Sequence, residues 1–132
     1  MTRLTGLTSL DASRNRLTDN GIGHITSITS LISLDVGSSY LTADGAAHLA
    51  ALSNLTSLDV RYNNLEESGV RHLAALSYLT SLNIRDNNLS YNSATYLALL
   101  TSLSTLNVRG NDISKSDLYG ITWIRELELG PV

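Results

Sequence analysis

Three histidines, His24, His48 and His72, stand 24 residues apart, the kind of recurrence that suggests a metal site. Two further columns share that spacing. Asp11, Asp35, Asp59, Asn83 and Asn107 form one, continued by Glu128, and Ser13, Gly37, Arg61, Arg85 and Arg109 form another two residues later. Parallel acid and base columns suit ionic recognition of a second macromolecule, with Arg61 and Tyr62 as the best anchors because Arg and Tyr are enriched at binding hot spots. The candidate protein-binding residues are therefore Asp35, Asp59, Arg61, Tyr62, Asn83, Arg85, Asn107 and Arg109. The competing expectation is a solvated face whose Asp and Arg neighbours offset each other, each exposed pair contributing about 0–1 kcal/mol.

What these columns can do depends on the elements that carry them. Leu7, Leu31, Leu55, Leu79 and Leu103 open five copies of the pattern L-x-x-L-x-L, and a period of 20–29 residues with that spelling is the signature of a leucine-rich repeat. In the third copy, Leu58 and Val60 sit two apart, the strand period, whereas Val70, Leu73 and Leu76 recur every three residues, as on one helix face. Each unit thus reads as strand, turn and helix. One unit cannot bury its own apolar side chains, so units must stack. The expected fold is a right-handed α/β leucine-rich repeat solenoid of about five and a half units, with parallel strands about 4.8 Å apart on the concave face and short helices on the convex face.

Position nine of the unit holds Asn15, Ser39, Asn63, Asn87 and Asn111, where an amide can hydrogen-bond turn backbone that burial would otherwise leave unpaired. Thr18, Thr42, Ser90 and Ser114 share one position suited to helix N-caps, and Glu66 breaks that series. Segments such as Thr42 to Leu52 are too short to be stable helices alone, so packing of Ala46, Leu49 and Leu52 on the sheet must hold them.

This layout argues against chemistry at the histidines. Neighbouring helices pack 8–10 Å apart, so the first and third rings start roughly 20 Å apart, while zinc needs nitrogens at about 2.0–2.1 Å. Each histidine also has a polar residue four positions earlier, Asn20, Asp44 and Ser68, consistent with a solvent-facing structural role. A hydrolytic triad is excluded likewise, because the histidines lie on the helix side and the Asp column on the strand side, across the apolar layer. Gly21-Ile22-Gly23 lacks the further glycine and Lys-Ser/Thr of a phosphate loop, and Glu66-Glu67 suits a helix start, where carboxylates complement the dipole. The chain is read as a non-enzyme with no catalytic residue, cofactor or metal; catalysis would require flanking sequence.

Composition agrees. The 132 residues are 42% hydrophobic and 16% charged with a net charge of −3, which fits one domain over 1–132 and leaves no basic footprint for nucleic acid. No stretch approaches the ~20 apolar residues of a membrane span, and the absence of cysteine removes disulfides and thiolate chemistry while leaving the compartment open.

The runs Gly45-Ala46-Ala47-His48-Leu49-Ala50-Ala51-Leu52 and Gly69-Val70-Arg71-His72-Leu73-Ala74-Ala75-Leu76, each followed closely by a Leu-Thr-Ser-Leu strand, resemble GALA-type leucine-rich repeats. The resemblance covers nearly the whole chain, fading at Ser93-Ala94-Thr95-Tyr96 and failing at Asp117-Leu118-Tyr119-Gly120. It implies a bacterial effector secreted into a eukaryotic host cytoplasm, whose partner is a host protein, in some members one presented to ubiquitin-ligase machinery through an F-box that has no room here.

Both ends break the pattern. Met1 to Leu7 spells only the tail of a preceding repeat, and Leu118 to Trp123 suit a shortened helix that brings on the last strand, within Ile124 to Leu129, after 21 residues instead of 24. Trp123 is expected to plug the C-terminal core. The chain is read as a fragment of a longer protein, the alternative being end-to-end stacking on a second copy. The expected function is a non-catalytic protein-protein interaction module using the concave strand face; a structural spacer or capping array, or the recognition part of a ubiquitin-ligase-type effector, are the alternatives.

Overall fold

In a computed structural model of the chain, residues 6–130 are described. The proposed tail of a preceding repeat therefore lies largely outside the described residues. Six three-residue strands form one open parallel sheet in sequence order: β1 (Ser9–Asp11), β2 (Ser33–Asp35), β3 (Ser57–Asp59), β4 (Ser81–Asn83), β5 (Thr105–Asn107) and β6 (Glu126–Glu128). Leu10, Leu34, Leu58, Leu82, Leu106 and Leu127 align in register, so the period of the sequence becomes a straight row in space. The shortened last unit keeps that register, pairing Thr105 with Glu126.

Between strands run α1 (Thr18–Ile25), α2 (Ala43–Leu49), α3 (Glu66–Leu73) and the shorter α4 (Ala94–Leu97), which follows a 3-10 turn at Tyr91–Ser93. The helices are briefer than Thr42 to Leu52 suggested, because Ala50 already closes α2 and the chain turns back to the sheet at once. One continuous apolar core lies between the layers, with Leu34, Leu58 and Leu82 from the strands against Leu49, Leu73 and Leu97 from the helices. Its outermost members are only partly buried: Leu7, Leu10, Leu17 and Ile28 at one end, Ile121, Ile124, Leu127 and Leu129 at the other.

Gly69 shows why most units carry glycine early in the helix. A Cβ there would stand 2.6 Å from Leu65 Cβ, too close for the helical turn to form as it does. Ser93 occupies the corresponding position in the fourth unit, where the turn becomes 3-10, and its buried hydroxyl has no hydrogen-bond partner.

The turns carry two surprises. Arg14, Ser38, Tyr62, Asp86 and Gly110, at one repeat position, all take left-handed φ between 53° and 71°. Downstream the units alternate: the second and fourth place Tyr40 and Asn88 in that region, the first and third Thr18 and Glu66. Thr18 is accordingly not the N-cap expected of it, since its hydroxyl donates to Leu17 O and the cap position carries no side-chain bond. Thr42 does cap α2, accepting from Asp44 N, and Ser114 forms a capping box with Asp117 at the 3-10 turn Lys115–Leu118. That turn replaces the helix expected over Leu118 to Trp123, which is irregular because three missing residues leave no length for a helical turn before β6. Trp123 is half-buried there, with Nε1 donating to Leu100 O at 3.4 Å.

Candidate functional site

The position-nine column builds the scaffold behind the concave face. Asn63 Oδ1 accepts from Ser39 N and Leu41 N, both at 3.0 Å, while its Nδ2 donates to Val36 O, Val60 O and Arg61 O. Asn111 repeats this, accepting from Asn87 N and Leu89 N and donating to Ile84 O, Val108 O and Arg109 O. Asn87, fully buried, accepts from Leu65 N and donates to Val60 O, Ile84 O and Arg85 O. Each amide ties its own turn to the previous one, satisfying backbone groups that water cannot reach. Ser39, the expected exception, donates only to Gly37 O, 3.1 Å away in its own turn.

The acid column also has a local task. In β1 to β5, Oδ1 of Asp11, Asp35, Asp59, Asn83 and Asn107 accepts the N–H two residues on, from Ser13, Gly37, Arg61, Arg85 and Arg109 respectively, at 2.9–3.1 Å. These are Asx turns that steer the chain out of each strand, which explains why Asn serves as well as Asp. The second carboxylate oxygen remains for other work.

That work centres on Arg61. Its Nη1 lies 3.1 Å from Asp35 Oδ2 and also contacts Asp59 Oδ2, the three side chains being 24–27% exposed. Gly37 permits the reach: a Cβ there would sit 3.0 Å from Arg61 Cγ, so the arginine lies over the glycine of the preceding unit. Burial pushes the Asp59 carboxyl above its ordinary value, with the Asp35 charge adding to the rise although the Arg61 N–H and guanidinium oppose it. Burial also works against the Arg61 charge, but the Asp35 hydrogen bond and the charges of Asp59 and Asp35 outweigh it and raise its pKa. Asp11, at the exposed end of the column, is lowered instead, chiefly by the Ser13 hydroxyl.

Beyond Arg61 the strip continues through side chains. Asn83 Nδ2 reaches Asp59 Oδ2 at 3.4 Å, Arg85 Nε bonds Asp86 Oδ2 at 2.9 Å, and the Arg85 guanidinium stands 5.5 Å from the centroid of the exposed Tyr62 ring. The Asp86 hydrogen bond raises the Arg85 pKa. Asn107 Nδ2 donates to Glu128 Oε2 at 3.2 Å, and Arg109 Nη1 lies 3.9 Å from the same oxygen. Of the eight residues singled out from the sequence, seven are linked in pairs and triads along the strip, and Tyr62 joins them from the turn edge through its contact with Arg85.

His24, His48 and His72 are exposed near the ends of α1, α2 and α3. The His48 ring packs beside Gly23 of the preceding helix, a structural neighbour absent from any reading by spacing alone. Among the described residues, no group of three or more His, Asp or Glu is placed to hold a metal ion, and no helix is long and apolar enough to cross a membrane. Tyr40 was not among the expected site residues, yet it and Tyr62 line one cleft of about 440 Å³ at the turn edge. The signal missed was backbone: Tyr62 sits at the left-handed position common to the turns, and Tyr40 at the one that only the second and fourth units make left-handed.

Comparison with known proteins places these features. The model of the leucine rich repeat family matches residues 53–113. No curated protein shows significant sequence similarity to the chain. Among solved structures, internalin C2 from Listeria monocytogenes is similar with a TM-score of 0.68 at 28% identity, covering 96% of this chain and 62% of its own. The Arabidopsis receptor kinase HAESA, solved in complex with the peptide hormone IDA and the co-receptor SERK1, gives 0.65 at 27% identity, covering 96% of this chain and 22% of its own. The functional domain of InlJ from Listeria monocytogenes, which includes a cysteine ladder, shares the fold at a TM-score of 0.56 and 19% identity, covering 96% of this chain and 30% of its own. The chain therefore spans less than two-thirds of each of these proteins.

Proposed function

We propose that this leucine-rich repeat protein is a non-catalytic recognition module that binds a protein partner along its concave strand face. The observation that carries the proposal is the strip itself: Asp35, Arg61, Asp59 and Asn83 joined side by side, then Arg85 against Tyr62, then Arg109 beside Glu128 and Asn107. Such a strip presents fixed charges and one aromatic face on a rigid sheet, so a complementary partner would gain contacts without first ordering the surface. HAESA, a structural relative, is itself seen with a peptide hormone and a co-receptor. The finer reading, an effector segment acting on a host protein in the host cytoplasm, rests on the GALA-like spelling of the helices.

A photo-crosslinking amino acid in place of Ser81, on the concave face, and in place of Ala75, on the convex side, tests this in eukaryotic extract. We expect discrete adducts from position 81 alone, lost when Arg61, Arg85 and Arg109 are reversed to Glu. Equal adducts from both positions, or adducts indifferent to the reversal, would overturn the proposal. No adduct at either position would favour the spacer reading, which draws support from the internal pairing of Arg61 with both aspartates.

A further inference from the structure

The acid column changes chemistry halfway along the sheet. In the first three units it is aspartate, and Asp35 and Asp59 both hold the Arg61 guanidinium, which is only 24% exposed. In the fourth and fifth units it is asparagine, Asn83 and Asn107. The fold is indifferent to that exchange, since their Oδ1 atoms accept the N–H of Arg85 and Arg109 just as the aspartates accept in their own turns. What differs is the second side-chain atom. Asp59 Oδ2 grips the arginine of its own unit, whereas Asn83 and Asn107 carry Nδ2 instead, a donor that no guanidinium can use, and turn it to Asp59 and Glu128.

Arg85 and Arg109 are thereby released from the column. Among the described residues, Arg85 bonds only through Nε, to Asp86, and its Nη1 and Nη2 have no hydrogen-bond partner. No side-chain nitrogen of Arg109 has one either, since Glu128 Oε2 stands 3.9 Å away, beyond hydrogen-bond length. The two side chains are 41% and 47% exposed. Asn83 pairs with Asn107, so the two arginines, each two residues further on, leave neighbouring strands about 4.8 Å apart. Two forked guanidiniums at that spacing can close on one carboxylate.

Glu128 shows the arrangement in outline. It is the anion nearest to Arg109, and the Arg85 pKa is raised first by the Asp86 hydrogen bond and further by the Glu128 charge. Arg85 is also braced against the Tyr62 ring, so an incoming anion meets a guanidinium already set in place. The surroundings favour a singly charged anion: Asp86 and Glu128 flank the pair and the chain carries a net charge of −3, so a dianionic phosphate meets more repulsion than a carboxylate does.

We propose that Arg85 and Arg109 form a carboxylate subsite that takes a glutamate or aspartate side chain from an acidic segment of the partner. The proposal rests on the concave-face reading above and names the chemistry of that contact.

The test is calorimetric titration of the full chain, at low ionic strength, with end-blocked Gly-Ser peptides carrying four Glu, four Gln, four Lys or four phosphoserine residues. Saturable binding of the Glu peptide is expected, weakening as salt is added. Arg85→Gln and Arg109→Gln should each weaken it at least about tenfold. Asn107→Asp installs the residue that the first three units use at that position, and it should weaken binding with the melting temperature unchanged. Glu128→Gln removes the internal competitor and should tighten binding about threefold. Arg71→Gln, at an exposed arginine of α3, should leave binding intact. The proposal is overturned if the Glu peptide fails to bind at millimolar concentration, if the Gln or Lys peptide binds as well, if either Arg85→Gln or Arg109→Gln binds equally, or if the phosphoserine peptide binds more tightly. Adducts from position 81 in extract without Glu-peptide binding would sink this subsite and leave the broader reading standing. Equal adducts from positions 75 and 81, with Glu-peptide binding intact, would sink the broader reading alone.

Discussion

The junction between the first and second units and that between the third and fourth use the same repeat position with different residues. At the later junction Asn87 is fully buried and bonds backbone of both turns; at the earlier one Ser39, equally buried, bonds only its own. A serine hydroxyl is too short to span two turns, whereas an amide carries a donor pair and an acceptor on a longer stem. The first unit is therefore held by strand pairing, by Thr18 N donating to Ser39 O, by Thr42 N and Oγ1 donating to the Asp19 carboxylate, and by a core edge where Leu10 and Leu17 remain partly exposed. Cooperativity in a repeat array depends on such interfaces, so the amino-terminal unit should open before the middle.

Substitutions can break that contrast. Asn87→Ala would leave Leu65 N and three carbonyls without their side-chain partner, and it should lower stability by about 3 kcal/mol or more, measured by urea unfolding. Asn15→Ala should change stability by less than about 0.5 kcal/mol, because Asn15 is exposed and bonds only Ala12 O and Ser13 O within its own turn. Equal losses would erase the distinction between junction and end.

The converse change should repair the weak junction. Ser39→Asn is expected to gain about 1 kcal/mol, with hydrogen-exchange protection rising at residues of β1 and α1 and little altered in β4. A loss of stability would mean that the second turn has no room for an amide. Ser93→Ala removes a buried hydroxyl that lacks a partner and should stabilise the fourth unit by up to about 1 kcal/mol in the same unfolding assay.

The smallest effects contrast Asp11 with Asp59, one column at two depths. The raised Asp59 carboxyl means the folded protein binds that proton more tightly, so its contribution falls as pH rises from the ordinary value of 3.8 through the folded pKa. The lowered Asp11 works oppositely: its contribution is present above 3.8 and is lost as pH falls through the folded pKa. Carboxyl NMR titration should find Asp59 above Asp11, and melts across the acid range should flatten above pH 3.8 in Asp59→Asn and below it in Asp11→Asn. Coincident titrations would show that depth along the strip does not tune these groups.

Much of this was legible in the chain itself. Leucines at fixed intervals admit only one way to bury themselves, so strand, helix and register followed from the period, and the asparagine column announced its turn bonds because a buried turn must find amide partners. The acid row of the strip was legible too, since alternation along a strand sends Asp35, Asp59, Asn83 and Asn107 away from the core, whereas Tyr62, next to Arg61 and past the end of β3, owes its place to its turn. Their couplings were not. That Arg61 reaches back to Asp35 depends on the missing side chain of Gly37 one unit earlier, a relation between units that no single repeat displays.

Sequence by itself determined the solenoid, the core and the face on which charge is carried, because each follows from which side chains water rejects at a fixed spacing. Only the tertiary structure decided that the second left-handed position shifts between units, that the fourth unit opens its helix with a 3-10 turn, and that Tyr40 and Tyr62 line one cleft. The physical reason is common to all three: backbone sign and contact distance are settled by the neighbouring unit against which each turn packs, and a repeat read alone has no neighbour.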